Sequence, residues 1–106
     1  MRVSVIIPTL NAENFIGELV PRLKRQTLPP SEIIVIDSSS EDRTVEIAAE
    51  MGCRTLVIER ESFDHGGTRN LGAKLSVGDV LVFMTQDVLP VDDKLLEKLV
   101  EPLADS

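Results

Sequence analysis

Two carboxylates stand at the ends of apolar runs in this chain: Asp37 closes "EIIVID", and Asp87 follows "VLVFMTQ". An Asp in that position can cap a helix, hold a metal ion or accept a phosphoryl group. Close to Asp37 lie Ser38, Ser39, Ser40, Glu41 and Asp42, which read most simply as a serine-rich turn capping the next helix. Arg69 stands in the glycine-rich stretch "FDHGGTRNLGAK" (63–74). Free amides at a helix start, together with a guanidinium, can face a diphosphate. That stretch is no P-loop, because its register is one residue out and no Ser or Thr follows Lys74. His65 has no second ligand at metal-site spacing and reads as a loop histidine.

The elements that must position these groups follow from four apolar runs: 3–7, 33–36, 55–58 and 80–84. None alternates apolar with polar residues, so each predicts a parallel strand covered on both faces. Helical spacing fills the gaps. Asn11 is the expected N-cap of a helix that buries Phe15, Ile16, Leu19, Val20 and Leu23, with a kink at Pro21. A second helix runs from about Thr44 to Met51 and stops at Gly52. "GGTRNLGAKLS" predicts a third, weakened by its glycines, and 92–104 a fourth with Leu95, Leu96, Leu99, Val100 and Leu103 on one stripe. Strand alternating with helix means one α/β domain over 1–106 with a parallel sheet, and ligands bind such sheets at the carboxyl ends of the strands. Asp37, Asp87 and the loop Pro8-Thr9-Leu10 therefore meet at one end.

Composition narrows the partners. The 106 residues carry a formal charge of −7, which argues against nucleic-acid binding. A divalent cation could still reconcile a phosphate with nearby acids. The lone Cys53 excludes an internal disulfide and reads as a buried, inert thiol. No apolar run is long enough to span a bilayer and no signal peptide precedes the first strand, so the expected location is cytoplasmic.

Taken together, "VSVIIPTLNAENFIGELV", "EIIVIDSSSEDRT", "FDHGGTRNLGAK" and "VGDVLVFMTQDVLP" resemble the opening half of the family 2 glycosyltransferases, in order and spacing, to about Leu99. "IDSSS" and "TQD" are most similar to rhamnosyltransferase-like members. The resemblance implies a three-layer, Rossmann-like nucleotide-diphospho-sugar transferase fold of four mainly parallel strands. It implies that Pro8, Thr9 and Leu10 line the base and ribose, and that Asp37 and Ser38 face the base, Asp37 accepting from a pyrimidine ring N–H. Many members carry a second acid where Ser38 stands. Arg69 and Asn70 would approach the donor, and Gln86-Asp87-Val88 takes the place of the family's Asp-x-Asp signature, with Asp87 on a Mg²⁺ or Mn²⁺ ion. The implied donor is a UDP- or dTDP-sugar, and the implied acceptor a glycan or lipid-linked saccharide. The full-length protein would work at the inner face of the membrane in polysaccharide biosynthesis.

In that family the general base and most of the acceptor pocket come from later sequence, so the chain is expected to be the donor-binding half, with no catalytic residue of its own. Self-association is then expected, through an unpaired edge of 80–84 or through the exposed apolar face beside it. One rival is a phospho-receiver domain, which "DVLP" imitates, but "PTLN" stands where its acidic pair should be and no fifth strand follows. A second rival is a module that binds nucleotide sugars without transferring them.

Overall fold

The computed structural model describes residues 2–62, 65–86, 89–90 and 92–104. Four strands, β1 (Val3–Thr9), β2 (Glu32–Asp37), β3 (Arg54–Val57) and β4 (Val80–Phe83), form one sheet in the order β3-β2-β1-β4. Every neighbouring pair is parallel, and Thr9 lies opposite Asp37 where β1 meets β2. Between the strands run α1 (Glu13–Lys24), α2 (Thr44–Glu50) and α3 (His65–Leu75), with α4 (Leu95–Ala104) after β4. This is the α/β architecture that the order of apolar runs predicts.

The sheet is covered unequally. Val3, Val5 and Ile7 of β1, with Ile33 and Val35 of β2, pack against Ile16, Leu19, Val20 and Leu23 of α1, Ala48 of α2, and Leu96 and Val100 of α4. The opposite face, built on Ile6, Ile34 and Ile36, meets Leu71 and Leu75 of α3. Gly72 is what lets α3 come so close. A Cβ there would lie 2.9 Å from the Ile6 side chain. Gly72, which weakens α3 as a helix, thus serves its packing.

Several local expectations need correction. Only the central strands β1 and β2 are buried on both faces; β3 and β4 are the sheet's edges and half exposed. Phe15 turns outward at 43% exposure, and so does Leu99. Pro21 lies within α1, which continues past it to Lys24. Pro21 leaves the Gly17 carbonyl without its helical N–H in the last third of the helix, where little of the ladder remains to disturb.

Asn11 does not cap α1. It adopts a left-handed conformation (φ 49°), and its Oδ1 accepts from the Glu41 amide at 2.8 Å. The N-terminal amides of α1 are served from the 40–44 segment instead: Asn11 N–H by Ser40 Oγ, Ala12 N–H by Thr44 Oγ1 and Glu13 N–H by Asp42 Oδ2. Glu13 returns the contact by accepting from the Arg43 amide at 3.2 Å. Each helix start caps the other.

The stop at Gly52 is borne out. Its φ is +85°, its amide bonds Ala49 and the next amide, Cys53, bonds Ala48, each at 3.0 Å, which closes α2 in a Schellman turn. Cys53 is half-buried against the core, and burial pushes its thiol pKa up, despite the opposing charge of Lys24. Beyond α1, Gln26 anchors α4, accepting from Leu96 N–H at 3.0 Å and donating to the Asp92 carbonyl at 2.8 Å.

Candidate functional site

The carboxyl ends of the strands frame a cleft of about 330 Å³, lined by Pro8, Thr9, Leu10, Ser38, Arg60, Thr85 and Gln86. That volume is at the small end for a ligand pocket. Its floor is the end of the β1–β2 pair, where the Ser38 amide donates to the Thr9 carbonyl at 2.9 Å.

Asp37 is fully buried beneath this floor. Its Oδ1 accepts from Thr9 Oγ1 at 2.6 Å and from Ser40 Oγ at 2.5 Å, while Oδ2 accepts from the Ser40 amide at 2.7 Å. A buried carboxylate needs such donors, and these tie the loop after β1 to the loop after β2. The three serines divide the work. Ser38 lines the cleft, Ser39 turns the chain at φ 58° and donates to the Ile58 carbonyl, and Ser40 bridges Asp37 and the Asn11 amide. None caps the next helix. That role falls to Asp42, whose Oδ1 accepts from the Thr44 amide at 3.0 Å. Burial would raise the Asp42 pKa, but the Thr44 hydroxyl and amide and the Glu13 amide hold it below its usual value.

On the far side, Gln86 holds the backbone of Leu10 from both ends of one residue. Between them the Gln86 clamp and the Asp37 bonds fix the Pro8–Leu10 wall of the cleft. Arg60, from a single 3-10 turn over Arg60–Ser62, closes the β2–β3 side. Its Nη2 donates to the Ser39 carbonyl at 3.1 Å, and its Nε points at the Ser38 carbonyl from 3.5 Å.

Of the residues singled out in the sequence, Pro8, Thr9, Leu10, Ser38 and Gln86 come together in this cleft, with Asp37 behind them. Arg69 and Asn70 are not among the residues that line it. The Arg69 guanidinium sits over the Phe83 ring, 5.6 Å from its centre, and Asn70 lines a separate depression with Ile58, Gly67, Thr68, Leu71 and Lys74. Asp87, the expected metal ligand, lies outside the described residues. Among the described residues no group of three or more His, Cys, Asp or Glu could hold a metal ion. Nor is any described helix long and apolar enough to cross a membrane.

Arg60 and Thr85 are the lining residues that the sequence reading leaves out of the site. The signal for Arg60 is its place just after the third strand, at the same end of the sheet as the others.

Residues 4–106 match the profile of Glycosyl transferase family 2, and the chain belongs to that family. It is 39% identical, over 99% of its length, to the O-antigen chain rhamnosyltransferase RfbN of Salmonella typhimurium, covering 34% of that protein. It is also 39% identical to the rhamnosyltransferase WbaN of Salmonella anatum, over 91% of this chain and 31% of that protein, which supports the rhamnosyltransferase-like resemblance. The chain therefore spans about a third of the length of these curated relatives. Among solved structures, S. aureus TarS residues 1–349 in complex with UDP-GlcNAc superposes with a TM-score of 0.78 at 28% identity, over 99% of this chain and 32% of that one. The glucosyl-3-phosphoglycerate synthase of Mycobacterium tuberculosis, in complex with Mn²⁺, UDP and glucosyl-3-phosphoglycerate, superposes at 0.74 and 29% identity, over 96% of this chain and 39% of that one. The fold is thus the one these glycosyltransferases share.

Proposed function

We propose that this chain provides the donor site of a glycosyltransferase, binding a nucleoside-diphosphate sugar, with uracil or thymine as the base, across the strand ends. The observation that carries this reading is the cleft itself: five residues that the family resemblance implies for donor binding line one cavity in a family 2 chain. The base and ribose lie over Pro8, Leu10 and Ser38, with Asp37 holding the floor. The diphosphate lies toward Gln86 and Asp87. The sugar passes to an acceptor hydroxyl of a glycan or lipid-linked saccharide, by direct displacement with inversion. The acceptor's general base is assigned to none of the described residues.

One carboxylate plus diphosphate oxygens is a donor set that suits a hard divalent cation such as Mg²⁺ or Mn²⁺. Asp87 would hold that ion; a relative solved with Mn²⁺ and UDP supports the use of a divalent metal. When bound, such an ion neutralises charge developing on the departing diphosphate. The chain's own part is to keep Pro8–Leu10 and Ser38 rigid, so that little freedom is lost when the donor binds.

Titration calorimetry with UDP and dTDP, with and without Mn²⁺, tests the reading. Metal should tighten binding to the wild-type chain, and Asp87→Asn should abolish the difference. Equal affinity with and without metal in both proteins removes the metal role, and absence of nucleotide binding overturns the function. Acetyl phosphate should leave Asp87 unlabelled, whereas a stable phospho-aspartate in the mass spectrum revives the receiver alternative.

A further inference from the structure

Among the described residues the cleft offers no aromatic surface for a flat ligand ring. The chain has no Tyr or Trp. Of its three Phe residues, Phe15 is exposed on α1, Phe83 lies under Arg69, and Phe63 is outside the described residues. Among the described residues the lining is Pro8 and Leu10 on the β1 side, polar groups from Thr9, Ser38, Thr85 and Gln86, and the cation of Arg60.

We propose that Arg60 is the platform on which the donor's base stacks, standing in for an aromatic side chain. A guanidinium is planar, delocalised and weakly hydrated, and it stacks on ring faces. That of Arg60 is held at its edge, since Nη2 donates to the Ser39 carbonyl at 3.1 Å and lies 3.7 Å from Glu41 Oε1, while Nε points at the Ser38 carbonyl. Edge contacts of this kind orient the plane before any ligand arrives and leave its face for the ligand. The ordering of a long side chain is then largely complete before binding.

Position decides which part of the donor Arg60 meets. The sheet order β3-β2-β1-β4 puts Arg60 and Ser38 at one end of the cleft and Thr85 and Gln86 at the other. With strands about 4.8 Å apart, the row from β4 to β3 is about 14 Å wide. A nucleoside diphosphate lying along that row with its phosphates at the β4 end brings its base to Arg60. The proposal rests on the nucleotide-sugar reading of the cleft and extends it to a residue which that reading does not use. Stacking is tolerant of base identity, so Arg60 supplies affinity and leaves the choice of base to groups that meet the ring's edge.

The experiment compares UDP with 5,6-dihydrouridine diphosphate, which keeps the hydrogen-bonding edge of uracil but has a saturated, puckered ring. Calorimetry with Mn²⁺ present measures both on the wild-type chain, Arg60→Leu and Arg60→Lys. Wild type should prefer UDP by roughly five- to tenfold, in line with a partly desolvated cation–π contact. Arg60→Leu should erase that preference by weakening UDP alone, and Arg60→Lys, which keeps the charge without the plane, should erase most of it. If Arg60 only braced the Ser38–Ser39 loop, both ligands would weaken together and their ratio would persist; that result overturns the proposal, as does a wild-type chain without preference. A wild-type chain that binds neither ligand overturns the donor-site function and the stacking role with it.

Discussion

Gln86 holds Leu10 by both its backbone groups: the Leu10 amide donates to Oε1 at 2.7 Å, and Nε2 donates to the Leu10 carbonyl at 3.3 Å. The pair joins the segment after β4 to the loop after β1, across 76 residues of sequence. Only a primary amide presents an acceptor and a donor side by side in this way. Gln86→Glu keeps the acceptor but sets a carboxylate oxygen against the Leu10 carbonyl. We expect Gln86→Glu to weaken UDP binding about tenfold, roughly 1.4 kcal/mol, with thermal stability nearly unchanged. Calorimetry beside a thermal melt checks this; unaltered affinity would mean that the Leu10 wall holds its place without the clamp.

Asp37 is expected to matter more for stability than its place beside a ligand cleft suggests. Its carboxylate takes three donors while fully buried. Asp37→Asn must turn an NH₂ group toward one of them, and Asp37→Ala leaves them without a partner. The cost should be about 2 kcal/mol for Asn and about 3 kcal/mol or more for Ala. Urea unfolding at neutral pH measures both, and a loss below about 0.5 kcal/mol for either would show that the loops close without this bond set.

Glu32, at the opposite end of the sheet, should report on acid stability. Burial alone would raise its pKa, but the Ser4 hydroxyl, the Val77 amide and the Arg54 guanidinium together hold it below its ordinary value of 4.5. The folded-state value is the lower one. Its contribution is therefore present in full above about pH 4.5 and is lost as pH falls further through the folded value. Glu32→Gln should cost about 1–2 kcal/mol at pH 7 and progressively less below pH 4.5. Urea melts of both proteins at pH 7 and pH 3.5 test it, and a penalty that does not shrink in acid contradicts the linkage.

A fourth expectation concerns association. β4 pairs with β1 alone, so among the described residues its outer edge has no strand partner, and Phe83 is 39% exposed beside it. No proline or lysine lies within Val80–Phe83 to discourage pairing. The chain should self-associate with rising concentration, and Val82→Lys should reduce this. Light scattering across a concentration series decides it; a chain that stays monomeric at high concentration would mean that the edge is protected.

The buried strands were the legible part of the sequence, since unbroken Val and Ile runs leave few alternatives. The same runs do not tell a central strand from an edge, because that depends on neighbours far along the chain. "TLVI" reads like "IIVI", yet Val57 is 53% exposed and Val35 fully buried. Asn11 departs from its expected role for a related reason. Its type suits an N-cap, but the donors and acceptors that α1 uses arrive from 40–44, about 30 residues away. Asp37, Ser38 and the Pro8–Leu10 loop, which meet at the cleft, stand out in the sequence because each directly follows an apolar run. For Arg60 the position after the third apolar run is the signal, but its bonds to the Ser38 and Ser39 carbonyls, made from a 3-10 turn, are not visible in the residue pattern.

The strand order also sets a schedule for folding. β1 and β2 pair with an offset of 28 residues, so they can join as soon as the first helix has formed between them. β4 pairs with the other side of β1 at an offset of 77 residues. Contacts so distant in sequence close slowly, because the intervening chain must give up its freedom first. During synthesis β1, fully buried along most of its length, therefore waits with one side bare, and the cleft cannot close until Gln86 has been made.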